Sequence, residues 1–333
     1  MNKVTKLGVS ALCGSLAAVA SANAGDLTVS GTADLSWISM DDEVTGNPIG
    51  MGSNYGLAGS GELDNGWTVA LGINMKNKNT YSSTDITVTV PALGDFLIKS
   101  GTGVGIDRMD DVTPTVWEEA YASGLSAGIN TVAGSAGGQG IEYTPNMMPD
   151  GLTARINWAP TGSTGINDKA SGGINAAAGT GWDLTLVATD ALHGMAGLEI
   201  GGGISEVDYN GANRNGDREE ATVYATYAVG GFTLGYQWSE EDLGTSANEQ
   251  QYDNEGYGIT FAINDDLSIG YNKYESKQTS TTNVTAEASS VQLAYSYGGA
   301  SIRIMDASAD NMDYSTDATQ DRDNTVISLG LAF

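Results

Sequence analysis

Apolar and polar positions alternate with a period of two along most of this chain. In Leu27–Met40, Leu27, Val29, Ala33, Leu35 and Trp37 fall on one face, and Thr28, Ser30, Thr32, Asp34 and Ser36 on the other. Trp67, Val69, Leu71, Ile73 and Met75 repeat the pattern. So do Leu152, Ala154, Ile156 and Trp158 against Thr153, Arg155 and Asn157. The segments "GWDLTLVAT", "FTLGYQWS", "GYGITFAI", "LSIGYNKY" and "SSVQLAYSY" read the same way. Such alternation marks strands with one apolar and one polar face.

Seven short turn signals separate these segments: Asp64–Gly66, Pro91–Asp95, Pro145–Gly151, Asp190–Gly194, Val229–Gly231, Asn264–Asp266 and Gly298–Gly299. Longer polar stretches alternate with them, including "APTGSTGINDKASGGINAAAGT" and "DASADNMDYSTDATQDRDN". Each short turn joins two strands, and the first and last strands bring the count to about 16. One overlooked turn near "YASGLSAG" would make it 18. An even number of strands, with short turns on one rim and long loops on the other, predicts an all-β transmembrane antiparallel barrel. Aromatic residues agree. Trp67, Phe96, Phe232 and Phe333 lie by the short turns, and Trp37, Trp158, Trp182 and Trp238 by the long loops, as two interfacial girdles require.

The last segment, "NTVISLGLAF", is itself an alternating strand that stops on Phe333. A strand that must pair with the first one to close a barrel cannot fray. Phe333 is therefore expected to matter for assembly.

Composition narrows the class. Charged residues are only 17%, with 46 Gly and 15 Tyr, which suits many short strands rather than disorder. Lys3 and Lys6, the apolar run Leu7–Ala20 and the small-x-small "ANA" at Ala22–Ala24 form a secretory leader. Cleavage after Ala24 is expected, which leaves residues 25–333 as the barrel. Loss of Lys3 and Lys6 takes the formal charge from −27 to −29, and the lone Cys13 goes with the leader. Such an acidic chain repels nucleic acid and attracts cations. No cofactor, metal site or disulfide framework is indicated.

The mature start "GDLTVSGTADLSW", the stretch "GDFLIKSGTGVGIDRMDDV", the strand–turn "GIEYTPNMMPDGLTARINW" and the end "ISLGLAF" resemble the general porins of Gram-negative outer membranes, most closely those of alphaproteobacterial type. The resemblance implies a homotrimer in outer-membrane lipid that passes ions and small hydrophilic solutes. It also implies that the third long loop, here about Gly101–Gly138, folds into the lumen and narrows it. A loop of this length in a compact domain is in any case a functional candidate. Its acids are Asp107, Asp110, Asp111, Glu118 and Glu119, with Arg108 as the single base of that stretch. Carboxylates at a water-filled constriction favour cations. The inward-facing candidate bases, Lys99, Arg155 and Arg303, are few. Cation preference is thus the expectation, rather than a strong field across the pore.

Other readings weigh less. Glu118 and Glu119, if on a strand, would point to opposite sides and make a poor catalytic pair. His193 has no His or Cys companions for a metal or a triad. "SGTGVGI" lacks the Gly-Lys-Ser/Thr of a phosphate loop and reads as the hinge where the chain leaves the wall. The acids of the last long loop match no calcium loop and read as solvated. The chain is not expected to be an enzyme. Two alternatives stay open at this point: a closed adhesive barrel that binds a partner through acidic loops, and a secreted soluble β-protein.

Overall fold

The computed structural model describes residues 27–40, 47–77, 80–122, 124–125, 127–129, 131–161, 179–208, 216–244, 251–279 and 283–332. The leader, the cleavage point and Phe333 lie outside them. Sixteen strands form one closed antiparallel barrel in which every strand pairs with its neighbours in sequence. They are β1 (Thr28–Met40), β2 (Ile49–Glu62), β3 (Thr68–Lys76), β4 (Thr80–Val90), β5 (Gly94–Ser100), β6 (Gln139–Pro145), β7 (Leu152–Ala159) and β8 (Gly181–Ala188). The second half comprises β9 (Leu198–Val207), β10 (Arg218–Val229), β11 (Phe232–Asp242), β12 (Gln251–Ala262), β13 (Leu267–Thr279), β14 (Thr285–Tyr297), β15 (Ala300–Asp310) and β16 (Arg322–Ala332).

All seven short turns fall where the alternation breaks. Closure follows from the ends of the chain: β16 pairs with β1 through Ile327↔Trp37, Leu329↔Leu35 and Leu331↔Ala33. The last apolar strand therefore leaves no free sheet edge, which a bilayer would not tolerate. The long-loop rim is less regular than its pattern predicts. β3 and β4 are joined through residues 77–79 alone. At its start the Ser53 N–H of β2 donates to Asn77 Oδ1 at 2.7 Å.

The apolar phase faces outward and the polar phase inward. Ile327, Leu329 and Leu331 are exposed, whereas Asn324 and Ser328 are buried in the lumen. Aromatic pairs gird the short-turn end, with Phe96 on Tyr143 at 4.8 Å and Phe232 on Phe261 at 4.3 Å. Toward the other rim, outward positions become charged. There Lys273 bridges Glu275 at 2.5 Å and Glu287 at 2.9 Å.

The packed core of this inside-out protein lies in the lumen. Ala120, Leu125 and Ala127 of the long third loop pack on Tyr274, Ala288, Met305, Ala307 and Ala309 of the wall. The last loop differs from its expectation as a solvated acidic stretch. Asp306 and Asp310 belong to β15, and Met312 and Tyr314 are buried over the third loop. The Asp313 N–H donates to the Ala127 carbonyl at 3.0 Å, so the two loops are joined.

Candidate functional site

The third loop runs from Gly101 to Gly138, between β5 and β6. It leaves the wall at a glycine hinge. Gly101, Gly103 and Gly105 have φ of +115°, +82° and +59°, a region costly for residues with a Cβ. The two limbs of the loop meet at that hinge, where the Gly101 N–H donates to the Gly138 carbonyl at 3.3 Å and the Gly137 N–H to the Gly101 carbonyl at 3.2 Å.

Irregular backbone inside a barrel needs hydrogen-bond partners. Here the inward phase of the wall supplies them, nearly one strand at a time. Glu142 of β6 accepts from the Gly105 N–H at 2.7 Å. Asp183 of β8 accepts from the Ser135 N–H at 3.0 Å, and Glu220 of β10 from the Ala133 N–H at 3.0 Å. Asn272 of β13 accepts from the Ala120 N–H at 3.2 Å. Gln292 of β14 accepts from the Trp117 N–H at 2.8 Å and the Glu118 N–H at 3.3 Å.

Between these anchors the wall is cut away. A Cβ on Gly235 would sit 2.1 Å from Pro114 Cδ, one on Gly258 2.4 Å from the Pro114 carbonyl oxygen, and one on Gly270 2.6 Å from Val116 Cγ2. Glycine at these three inward positions lets Thr113–Val116 lie flat against β11, β12 and β13.

The loop acids form one electrostatic cluster. Asp111 acts on Asp107, Asp110 and Glu119, and Glu118 hydrogen-bonds Glu119. Asp107 accepts from the Gly103 N–H, and burial pushes its carboxyl up against the opposing pull of that bond and of Lys99. Burial also pushes Asp110 up to about 8, with help from Asp111, and Glu119 up to about 8, with help from Glu118. All five lie in the loop, outside the membrane-spanning strands. Asp110 is partly buried and lines a small gap with Gln237, Asn254 and Tyr274 of the wall, whereas Asp111 is exposed. Residues 110–119 are not a strand, so Glu118 and Glu119 do not diverge as a strand would require. Their carboxyls share a hydrogen bond instead.

Three of the four bases gather around the hinge, on the loop and on the adjacent strands β5 and β7. Arg108 Nη2 pairs with Glu142 Oε1 at 2.7 Å, and Glu142 is almost fully buried. Arg155 of β7 lies in the field of the same two groups. Lys99 Nζ would stand 2.9 Å from a Cβ on Gly103, beneath the hinge. Arg303 is elsewhere. It pairs with Asp34 of β1, donates to Ser328 Oγ at 2.8 Å, and sits over the Trp117 ring at 4.9 Å.

Sequence reasoning missed Asp34, Trp117 and all the wall anchors. For Asp34 and the anchors the one local signal is a large polar side chain in the inward phase of a strand whose other inward residues are mostly small; Trp117, in the loop, carries no such signal.

A closed barrel with a polar lumen narrowed by an inward loop defines a water-filled channel of the outer-membrane type. The family model for Gram-negative porins matches residues 8–317, so the chain belongs to the Gram-negative porin family, and its place is the bacterial outer membrane. Solved porins share the fold at low identity. The anion-selective porin from Comamonas acidovorans aligns at 12% identity and TM-score 0.66, covering 92% of this chain and 99% of that one. OmpF of Salmonella typhi, in complex with daunomycin, aligns at 12% and 0.66, covering 92% and 97%. The trimer form of OmpT from Vibrio cholerae aligns at 12% and 0.66, covering 93% and 100%. No curated protein matches the chain at significant similarity.

Proposed function

We propose that this porin, freed of residues 1–24, is a homotrimeric diffusion channel that prefers cations. The carrying observation is that the loop acids share the lumen with one loop base, Arg108, whose charge is already matched by Glu142. A fold shared with an anion-selective porin leaves the sign of selectivity to the lining. Asp111, which is exposed, and Glu118, which lines the open lumen beside Trp117, are the acids assigned to it. One carboxylate 5 Å from a passing monovalent ion contributes roughly 1–3 kcal/mol at effective dielectrics between water and a wet protein surface. That is enough for a several-fold preference, weakened by salt. The trimer form of OmpT supports the homotrimer. The bases Lys99 and Arg155, beside Arg108 at the hinge, and Arg303 on β15 trim the negative field locally.

Liposome swelling tests this reading. Lysine is expected to enter proteoliposomes several-fold faster than glutamate of similar size. Equal rates would reject the cation preference, and no swelling with either would reject the open channel.

A further inference from the structure

Five of the six tryptophans, Trp37, Trp67, Trp158, Trp182 and Trp238, belong to the lipid-facing phase or its rim. Trp117 alone stands in the lumen, partly buried on the third loop against the cluster of Ala120 and Met305. It is held there firmly. Gln292 accepts from the N–H groups of Trp117 and Glu118, while Gln292 and Asn272 both donate to the Glu118 carbonyl.

Two lumenal cavities meet at this point. One, of about 560 Å³, opens toward the short turn at Gly298–Gly299, and the other, of about 290 Å³, toward Asn47 and Pro48 at the long-loop end of β2. Asp34, Trp117 and Glu118 line both. Arg303 and Asn54 complete the larger one, whose volume lies within the roughly 300–1,000 Å³ usual for small-molecule sites.

The chemistry of this waist selects among solutes. An anion meets Glu118, with only the Asp34-paired Arg303 to offset it. An organic cation meets Arg303, which already occupies a face of the Trp117 ring and already neutralises Asp34. A neutral polyhydroxylated solute meets no mismatch. Its hydroxyls find donors on Arg303, acceptors on Asp34 and Glu118, and both on the Asn54 amide. Its C–H face finds the part of the indole that neither Arg303 nor the Ala120–Met305 cluster covers. We infer that Trp117, Arg303, Asp34, Glu118 and Asn54 form a saccharide subsite at the waist of the channel. The inference needs the open channel but not the cation preference.

The test is current recording from the full-length protein in planar bilayers with maltose as the probe. Each channel's sugar response is read as a fraction of its own conductance. The expected result is a reversible reduction that saturates at millimolar maltose, with low-frequency current noise from residence. In Trp117→Ala the half-saturating concentration should rise at least fivefold, and in Trp117→Phe, which keeps a ring, by less. A linear, non-saturating reduction equal in wild type and Trp117→Ala would overturn the subsite, because viscosity alone produces that. Saturable block by arginine methyl ester but not by maltose would overturn the saccharide assignment. Reversal potentials measured on the same channels report the cation preference separately, so either idea can fail alone.

Discussion

Arg108 on the constriction loop and Glu142 on β6 form a two-point ion pair, with Nη2–Oε1 at 2.7 Å and Nε–Oε1 at 3.2 Å, while the same carboxylate holds the Gly105 N–H. One buried side chain thus neutralises the loop's base and fastens the loop at its hinge. Hydrogen bonds to a charged group contribute about 1.5–3 kcal/mol each, and the partly exposed Arg108 side lowers that here. In Glu142→Gln, Arg108 is expected to be freed into the lumen. The cation-to-anion permeability ratio should fall at least twofold, and trypsin should cut after Arg108 in the folded barrel. Unchanged selectivity together with resistance to trypsin would show that Glu142 is not the clamp.

Asp110 and Glu119 give the channel a dependence on pH. Burial favours their neutral forms, and both ionise as the pH rises through about 8. Cation preference in a potassium chloride gradient should therefore increase between pH 6 and pH 9. Stability should move the opposite way. A carboxyl whose folded value is raised favours the folded state fully below its ordinary value, and this is lost as the pH climbs toward the raised one. The temperature at which the barrel unfolds should thus fall from about pH 4 to about pH 8 and level off above it. The double variant Asp110→Asn, Glu119→Gln should flatten both curves. Curves that stay as steep would assign the titration to other groups.

Gly235 tests the packing of the loop on the wall. A valine there would press into Pro114 and displace Thr113–Val116 toward the pore axis. Overpacking of this kind typically costs about 1–3 kcal/mol. Gly235→Val should lower single-channel conductance by at least a third and lower the dissociation temperature. Gly216→Ala, where a Cβ meets nothing within 4 Å, should do neither. Equal behaviour of the two variants would mean that the loop does not rest on β11.

Neutralising Asp111 and neutralising Asp110 should have unequal effects. Asp111 is exposed, whereas Asp110 is partly buried beside the wall and its carboxyl is pushed up by that burial. At pH 7 Asp111→Asn should remove most of the selectivity that Asp110→Asn plus Asp111→Asn removes. If Asp110→Asn alone reproduces the double variant, the roles are reversed.

Deleting Phe333 should reduce the yield of assembled oligomer in the outer membrane several-fold and leave the conductance of surviving channels unchanged. Normal yield, scored by heat-modifiable migration on gels, would remove the assembly role from this residue.

The barrel was legible because its determinants are local. Each short turn carries its own Gly, Asn, Asp or Pro signal between alternating segments, and β16 advertises its lipid face through Ile327, Leu329 and Leu331. The limits of the constriction loop were legible for the same reason, through the glycines at 101, 103 and 105 and the return at Gln139. The contacts that seat the loop were not. Gln292 and Trp117 are 175 residues apart, and Glu142 and Gly105 are 37 apart. In sequence these anchors are merely polar residues in a polar phase. The strand period did not apply to Glu118 and Glu119, because their segment of the loop is irregular. The burial of Met312 and Tyr314 escaped notice because their neighbours are nearly all polar.

The most direct measurement is the reversal potential of the purified, detergent-extracted protein in a planar bilayer under a tenfold gradient of potassium chloride. Discrete conductance steps are expected, with a reversal potential of the sign for cation flow. The preference should be larger at low salt, where the Debye length is about 30 Å at 0.01 M, than at 1 M, where it is about 3 Å. Steps with a reversal potential at zero, or of the opposite sign, would contradict the assignment of Asp111 and Glu118 to the narrow part of the channel.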